Sequence, residues 1–395
     1  MDQTATRSYS CLIVLAAAAL LGFLAITLGW PVLPGGILAY LVLTLVPGAV
    51  LYLALNDNPG VLETILAATA ISPVLTAAAG MILMLAGVGP TGAAAVIVAL
   101  TGAAGLALCY FAPRPLSRWE LRRPHTAVLL GSLLFLCLVI GVIAFTKDWW
   151  RLRADAWFHG AVVYQILDYG IPPEDPYVVG LPLQYMWFYH VLVAVLSQAS
   201  GIGPFMVMAL LNIHALVAYG LAAFLLSLVF KKRFEYNFAA FLTSILGVNA
   251  LFWLFYPVRM LRAFTGNVRG QEEVARLFDL TPFGLRSARH FVKVLYNQEF
   301  LLDKFMVATA FSFGLALMAL LWYAAARYLT SGKRYALWLV LVGAFGVVAF
   351  HPAIGTLMFG GLAGGLCLLF VLKRRVDHLD RGRILKMLGM MAVAG

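Results

Sequence analysis

Asp155 and His159 stand four residues apart in the stretch RADAWFHGAVVYQILDYG, residues 153–170. On a helix over 155–169 that spacing sets the carboxylate and the imidazole on one face, with Val162 and Ile166 continuing it. A carboxylate beside a histidine is a proton acceptor, the group a hydroxyl nucleophile needs as it attacks an electrophilic carbon. Asp155 also suits the N-cap of that helix, and Gly170 with Pro172 and Pro173 is the matching stop signal. Glu174 and Asp175 form a second acidic pair, with oxygens for a divalent metal such as Mg or Mn. Two adjacent carboxylates point apart on an extended chain, however, and a hard cation wants about six oxygens; a solvated turn accounts for the pair as well. Tyr185 belongs to an aromatic cluster with Trp187, Phe188 and Tyr189, and His190 follows it. Tyr185 and His190 are candidates to line a substrate cavity, and His190 equally suits the headgroup level.

The elements around these residues are almost wholly apolar. The chain has 395 residues, 63% hydrophobic and 11% charged, with mean hydropathy +0.92; an average soluble protein carries about 25% charged residues. Several runs exceed the ~18–20 apolar residues needed to cross a bilayer. The expectation is an all-α polytopic membrane protein with about ten spans. They are placed near 11–30, 33–55, 62–87, 91–112, 126–146, 204–230, 236–256, 305–329, 335–350 and 352–372. The run 11–30 reads as a retained helix rather than a signal peptide. Residues 384–395 are too few to cross, so the chain is expected to continue. Residues 1–125 read as a four-helix transmembrane module, and 126–395 as a second module bearing outer loops 147–203 and 257–304. The four cysteines, Cys11, Cys109, Cys137 and Cys367, all lie in apolar runs without metal-ligand spacing.

The net charge of +11 resides largely in short loops and marks orientation rather than nucleic-acid binding. Arg114–Arg123, Lys231–Arg233, Arg327–Arg334 and Lys373–Arg383 all face the cytoplasm if 184–200 does not cross. That stretch is therefore read as a juxtamembrane or re-entrant helix along the outer surface. A crossing there would turn every later basic loop outward. Five of the 17 carboxylates, Asp148, Asp155, Asp168, Glu174 and Asp175, then face outward together. The outer loop 257–304 has eight Arg or Lys residues against five Asp or Glu. Arg259, Arg262 and Lys304, closest to the spans, suit a lipid phosphate, although Lys304 also suits a snorkelling anchor. His351, before Pro352 at an outer junction, either faces the same cavity or caps a turn. Asn212, His214 and Asn249 are polar residues within spans: functional groups by default, or interhelical hydrogen bonds.

The order of a span, an outer Asp opening a surface helix (RADAWFHGAVVYQILDYG), PPEDPY, a second surface helix opening at Pro182-Leu183-Gln184-Tyr185 and a further span resembles the first outer loop of the GT-C superfamily. These are integral-membrane glycosyltransferases that use polyprenyl-phosphate sugars. The resemblance covers roughly 126–372 and implies a GT-C-like fold with juxtamembrane helices in the first outer loop. It differs here by four spans ahead of that loop. It implies an inverting transfer of sugar from a polyprenyl phosphate to the hydroxyl of a glycan or lipid-linked acceptor, on the extracytoplasmic side of a bacterial plasma membrane. Asp155 would be the base and His159 its partner or a donor-phosphate contact. Arg259, Arg262, Lys304 and His351 would hold the phosphate, and Tyr185, His190 and His214 would line the cavity. The partners implied are the donor, the acceptor and membrane lipids, with no nucleic acid. Two other functions fit the composition: transport of a lipid-linked sugar or polysaccharide, which calls for polar residues near the midplane, and a non-catalytic membrane scaffold.

Overall fold

A computed structural model describes residues 34–111, 121–146, 155–246, 304–372 and 381–394, with Ile26 and Leu152 besides. In chain order the helices are α1 (Pro34–Leu55), α2 (Val61–Leu85), α3 (Pro90–Phe111), α4 (Arg123–Thr146) and α5 (Ala156–Tyr169). A small hairpin, β1 (Glu174–Asp175) and β2 (Val178–Pro182), comes next. Then follow α6 (Phe188–Ser200), α7 (Pro204–Phe230), α8 (Phe234–Leu246), α9 (Phe311–Ser331), α10 (Arg334–Phe350), α11 (Pro352–Leu372) and α12 (Arg381–Ala394). The chain is an all-α integral membrane protein. Six of these helices, α1–α4, α7 and α9, are long and apolar enough to cross a bilayer. Residues 1–238 and 305–395 form one compact unit, and Ala239–Lys304 a second, of which only 239–246 and Lys304 are described.

Among the described residues six helices, rather than the ten expected spans, meet the length, since two of the expected runs are described only in part and one is short to begin with. α10 matches its expected run with 17 residues, about 26 Å at ~1.5 Å per residue, and of the expected span 236–256 only the part up to Leu246 is described. α9 begins at Phe311 rather than near 305. The expected span 11–30 lies outside the described residues apart from Ile26.

Where prolines interrupt the spans, neighbouring helices satisfy the backbone, as a bilayer demands. Pro47 leaves the Leu43 carbonyl without its helical donor. Thr76 of α2 donates to it through Oγ1 at 2.7 Å. One turn on, the Gly48 N–H donates to Ser72 Oγ at 2.8 Å, and a Cβ on Gly48 would fall 2.4 Å from the Ala67 carbonyl oxygen. Close approach at small residues is what holds spans together where lipid and side chain are equally apolar. Between α7 and the turn before α9, the Asn212 amide donates to the Val307 carbonyl and accepts from Ser312 Oγ. That is the interhelical role open to it.

The basic loops meet at one end of the bundle. Arg122, Lys232, Arg233 and Arg327 line a single cavity, and Arg383 donates from Nη1 to the Leu329 carbonyl at 3.0 Å. α4 leaves this end and α7 returns to it, so the chain between them, 147–203, makes no net crossing. Residues 184–200 are accordingly not a span. They are not a surface helix either. α6 starts at Phe188, is buried at every position from Phe188 to Ser197, and packs among α1, α2, α3, α5, α7 and α10. Its run Val191–Leu196 is apolar at every position, so no side of it needs water. Val191 and Val195 touch Gly80 of α2, and Phe188 touches Phe345 of α10. Gly80 and Phe345 each lie five residues from their helix ends, about 7 Å in. α6 therefore lies across the outer third of the bundle as a re-entrant helix.

Candidate functional site

α5 is amphipathic as its spacing predicts. Ala156, His159, Gly160, Val162, Val163 and Ile166 are buried, while Trp157 and Tyr164 are exposed. Gly160 sets how closely α5 lies on α7, because a Cβ there would fall 2.3 Å from Phe205 Cζ. Phe205 in turn meets Trp157 edge-on. The hairpin is tied down by Tyr177, whose ring stacks on Phe158 at 5.7 Å.

Asp155 occupies the N-cap position of α5, yet its side chain makes no capping hydrogen bond. Its Oδ2 lies 3.4 Å from Nε2 of His159 instead. The Asp155 side chain is 62% exposed and that of His159 only 2%. On the far side of the ring, His159 Nδ1 is 2.8 Å from Nε2 of His190, on α6, and the two rings stack at 5.1 Å. His190 is fully buried. Tyr185 meets both imidazoles edge-on at 6.1 Å.

The partners dictate where the protons sit. Two imidazole nitrogens at 2.8 Å need one N–H between them. His190 Nδ1 is buried without a hydrogen bond, and the Trp187 carbonyl is the backbone acceptor that acts on this ring. A proton on Nδ1 faces that oxygen favourably; a bare Nδ1 would oppose two lone pairs. His190 therefore carries its proton on Nδ1 and accepts at Nε2, and His159 donates from Nδ1. Between His159 Nε2 and Asp155 Oδ2 one proton is shared. It resides on the imidazole beside a carboxylate, or on the carboxyl beside a neutral imidazole. The line Asp155–His159–His190 is an exposed proton acceptor with its orienting groups behind it, the arrangement by which a fixed tautomer serves a base.

The electrostatics agree. The His159 hydrogen bond, outweighing partial burial, holds the Asp155 carboxyl below its ordinary range. Burial, then the neighbouring His159, pushes His190 well below the ordinary histidine value, so it stays neutral. Burial and then the Asp155 charge raise the Tyr185 phenol. His351 ends α10, and its Nδ1 accepts the Ile354 N–H at 3.3 Å. Its neutral ring thus bears the proton on Nε2. Burial chiefly lowers its pKa, and Asp155 and His159 lie within electrostatic reach. A Cβ at Gly314 would fall 2.8 Å from His351 Cβ, so only glycine lets α9 pass this close.

The structure thus brings together Asp155, His159, Tyr185 and His190, with His351 nearby. His214 lies deeper. It sits against the Thr44 and Thr69 carbonyls, the latter freed by Pro73 four residues on, and joins the site only through the rings of Phe313, Phe350 and Tyr189. Glu174 and Asp175 serve the hairpin: Glu174 Oε2 accepts from the Gly180 N–H at 3.0 Å, and Asp175 Oδ1 from the Tyr177 N–H at 2.8 Å. Among the described residues no group of three His, Cys, Asp or Glu side chains is placed to hold a metal. Arg259, Arg262 and Asn249 lie outside the described residues, and Lys304 belongs to the second unit.

Sequence reasoning missed one polar centre at the opposite end. Glu63, 4% exposed, accepts from Tyr52 at 2.7 Å and from the Tyr323 and Tyr335 hydroxyls, and pairs with Arg327 Nε at 3.4 Å. A lone carboxylate inside an apolar run was its only signal. No protein-family model matches this chain, nor does any curated protein or solved structure.

Proposed function

We propose that the protein is an inverting GT-C-type glycosyltransferase that moves a sugar from a polyprenyl phosphate to an acceptor hydroxyl. The observation that carries this reading is the exposed Asp155 carboxylate, oriented by His159 and, through it, by the buried His190. The acceptor oxygen attacks the anomeric carbon, the bond from that carbon to the phosphate oxygen breaks, and its electron pair leaves with the phosphate. Asp155 takes the hydroxyl proton as the new bond forms. A phosphate leaving group needs no general acid, so one carboxylate serves where most glycoside hydrolases need two. His351, with its Nε2–H, is available to a donor phosphate oxygen.

The site lies at the end of the bundle away from the basic loops. Under the charge rule that end is extracytoplasmic, and a bacterial plasma membrane is the setting this chemistry suits. A purified sample in lipid nanodiscs, given polyprenyl-phosphate sugars and envelope glycans, should release polyprenyl phosphate and form a product of inverted anomeric configuration. Movement of the donor across the bilayer with no bond broken would sink this reading in favour of transport.

A further inference from the structure

A cavity of about 820 Å³ opens at the basic end of the bundle, remote from Asp155. Its size is that of a small-molecule site, about 300–1,000 Å³. Arg122, Lys232, Arg233 and Arg327 line it, with Glu63, Glu235 and Tyr323 in its wall. We propose that this cavity binds a phosphate-bearing headgroup.

Three observations support the assignment. First, the cations are available. Arg122, Lys232 and Arg233 are exposed, and among the described residues none has a carboxylate within ion-pair distance. Second, the deepest cation is built in. Among the described residues both side-chain contacts of Arg327, to the Tyr335 hydroxyl at 3.0 Å and to Glu63 at 3.4 Å, run through Nε. Its terminal nitrogens remain for the cavity it lines, and a guanidinium presents them to phosphate as a fork. Third, the four lining cations face two lining carboxylates, the exposed Glu235 and the buried Glu63, and Glu63 is already saturated. Glu63 takes hydrogen bonds from three tyrosine hydroxyls besides Arg327, so it anchors the arginine rather than repelling an anion. Cations gathered at helix ends where several helices diverge match the way anionic lipid headgroups are held at the cytoplasmic leaflet. This inference does not depend on the role of Asp155.

The same chemistry fits a lipid headgroup and a soluble phosphate, and one experiment separates them. Thermal unfolding of the 395-residue chain is followed in phosphatidylcholine nanodiscs, in the same discs containing phosphatidic acid, and in phosphatidylcholine discs with inorganic phosphate. The expected result is a rise in Tm of several degrees with phosphatidic acid, lost in Lys232→Glu/Arg233→Glu and kept in Lys232→Arg/Arg233→Lys. Both positions are exposed, so the reversal should leave Tm in phosphatidylcholine unchanged. A rise with inorganic phosphate alone, lost in the same reversal, also supports the site and assigns it to a soluble ligand. The reversal Lys333→Glu/Arg334→Glu, at an exposed pair outside the cavity lining, controls for general surface charge. No rise with either probe, or an equal loss in both reversals, overturns the proposal.

Discussion

His190→Leu is the most informative single change, because it touches neither solvent nor substrate. Leucine removes the acceptor that His159 Nδ1 meets at 2.8 Å. The ring around that Nδ1 is 2% exposed, so water does not replace the lost partner. An unsatisfied buried donor costs about 1–3 kcal/mol. Some of this appears as lost stability. The rest appears at the site, where His159 turns away from Asp155. If all of it fell on turnover, the loss would be about 5- to 150-fold, at ~1.4 kcal/mol per factor of ten. The assay pairs initial rates of sugar transfer with thermal unfolding in nanodiscs. His190→Gln supplies an amide oxygen to the same nitrogen and should recover most of the rate. Turnover and Tm both unchanged in His190→Leu would refute the proton placement argued from the Trp187 carbonyl. So would a leucine and a glutamine variant that behave alike.

Three further outcomes follow from the contacts. His159→Phe removes the largest influence lowering the Asp155 pKa and leaves the burial that raises it. Transfer needs the ionised carboxylate and is lost as pH falls through its pKa, so the acid limb of the pH–rate profile should move up; an unmoved limb would separate that limb from Asp155. The contribution of this pair to stability has the same sense. It is present above the unfolded aspartate value, near ~3.9, and lost as pH falls through the lowered folded value. Gly160→Val drives a side chain into Phe205 and should cost about 1–3 kcal/mol as overpacking, with lost transfer that Phe205→Ala partly restores. Glu63→Gln strands Arg327, 19% exposed, and should cost about 3 kcal/mol by the measure of broken buried pairs; Glu63→Gln/Arg327→Gln should be less unstable than that single change, as read by thermal unfolding.

Local signals in the sequence held where a single helix decides the outcome. The four-residue spacing of Asp155 and His159 and the stop at Gly170 set α5 as expected, and α7 spans 204–230 as its apolar run implies. The cap expected of Asp155 failed because His159 competes for the same carboxylate. The partnership of His159 with His190 was not legible, since it joins residues 31 apart through a helix that turns into the bundle. The charge bookkeeping indicated that 184–200 does not cross, and left a juxtamembrane and a re-entrant helix open. Only the packing of Val191 and Val195 against Gly80 reveals its depth. Glu63 stayed hidden for a similar reason: its four partners come from α1, α9 and α10, distant segments that no local pattern joins.

The measurement that bears most directly on the central claim is sugar transfer by Asp155→Asn in nanodiscs, beside the parent chain at matched folding. The amide keeps the shape of the carboxylate and cannot take the acceptor proton. The account predicts a loss of about 10²- to 10⁴-fold, the scale of general-base catalysis, with Tm little changed because the side chain is largely exposed. Transfer within a few-fold of the parent, in a variant that folds normally, would contradict it.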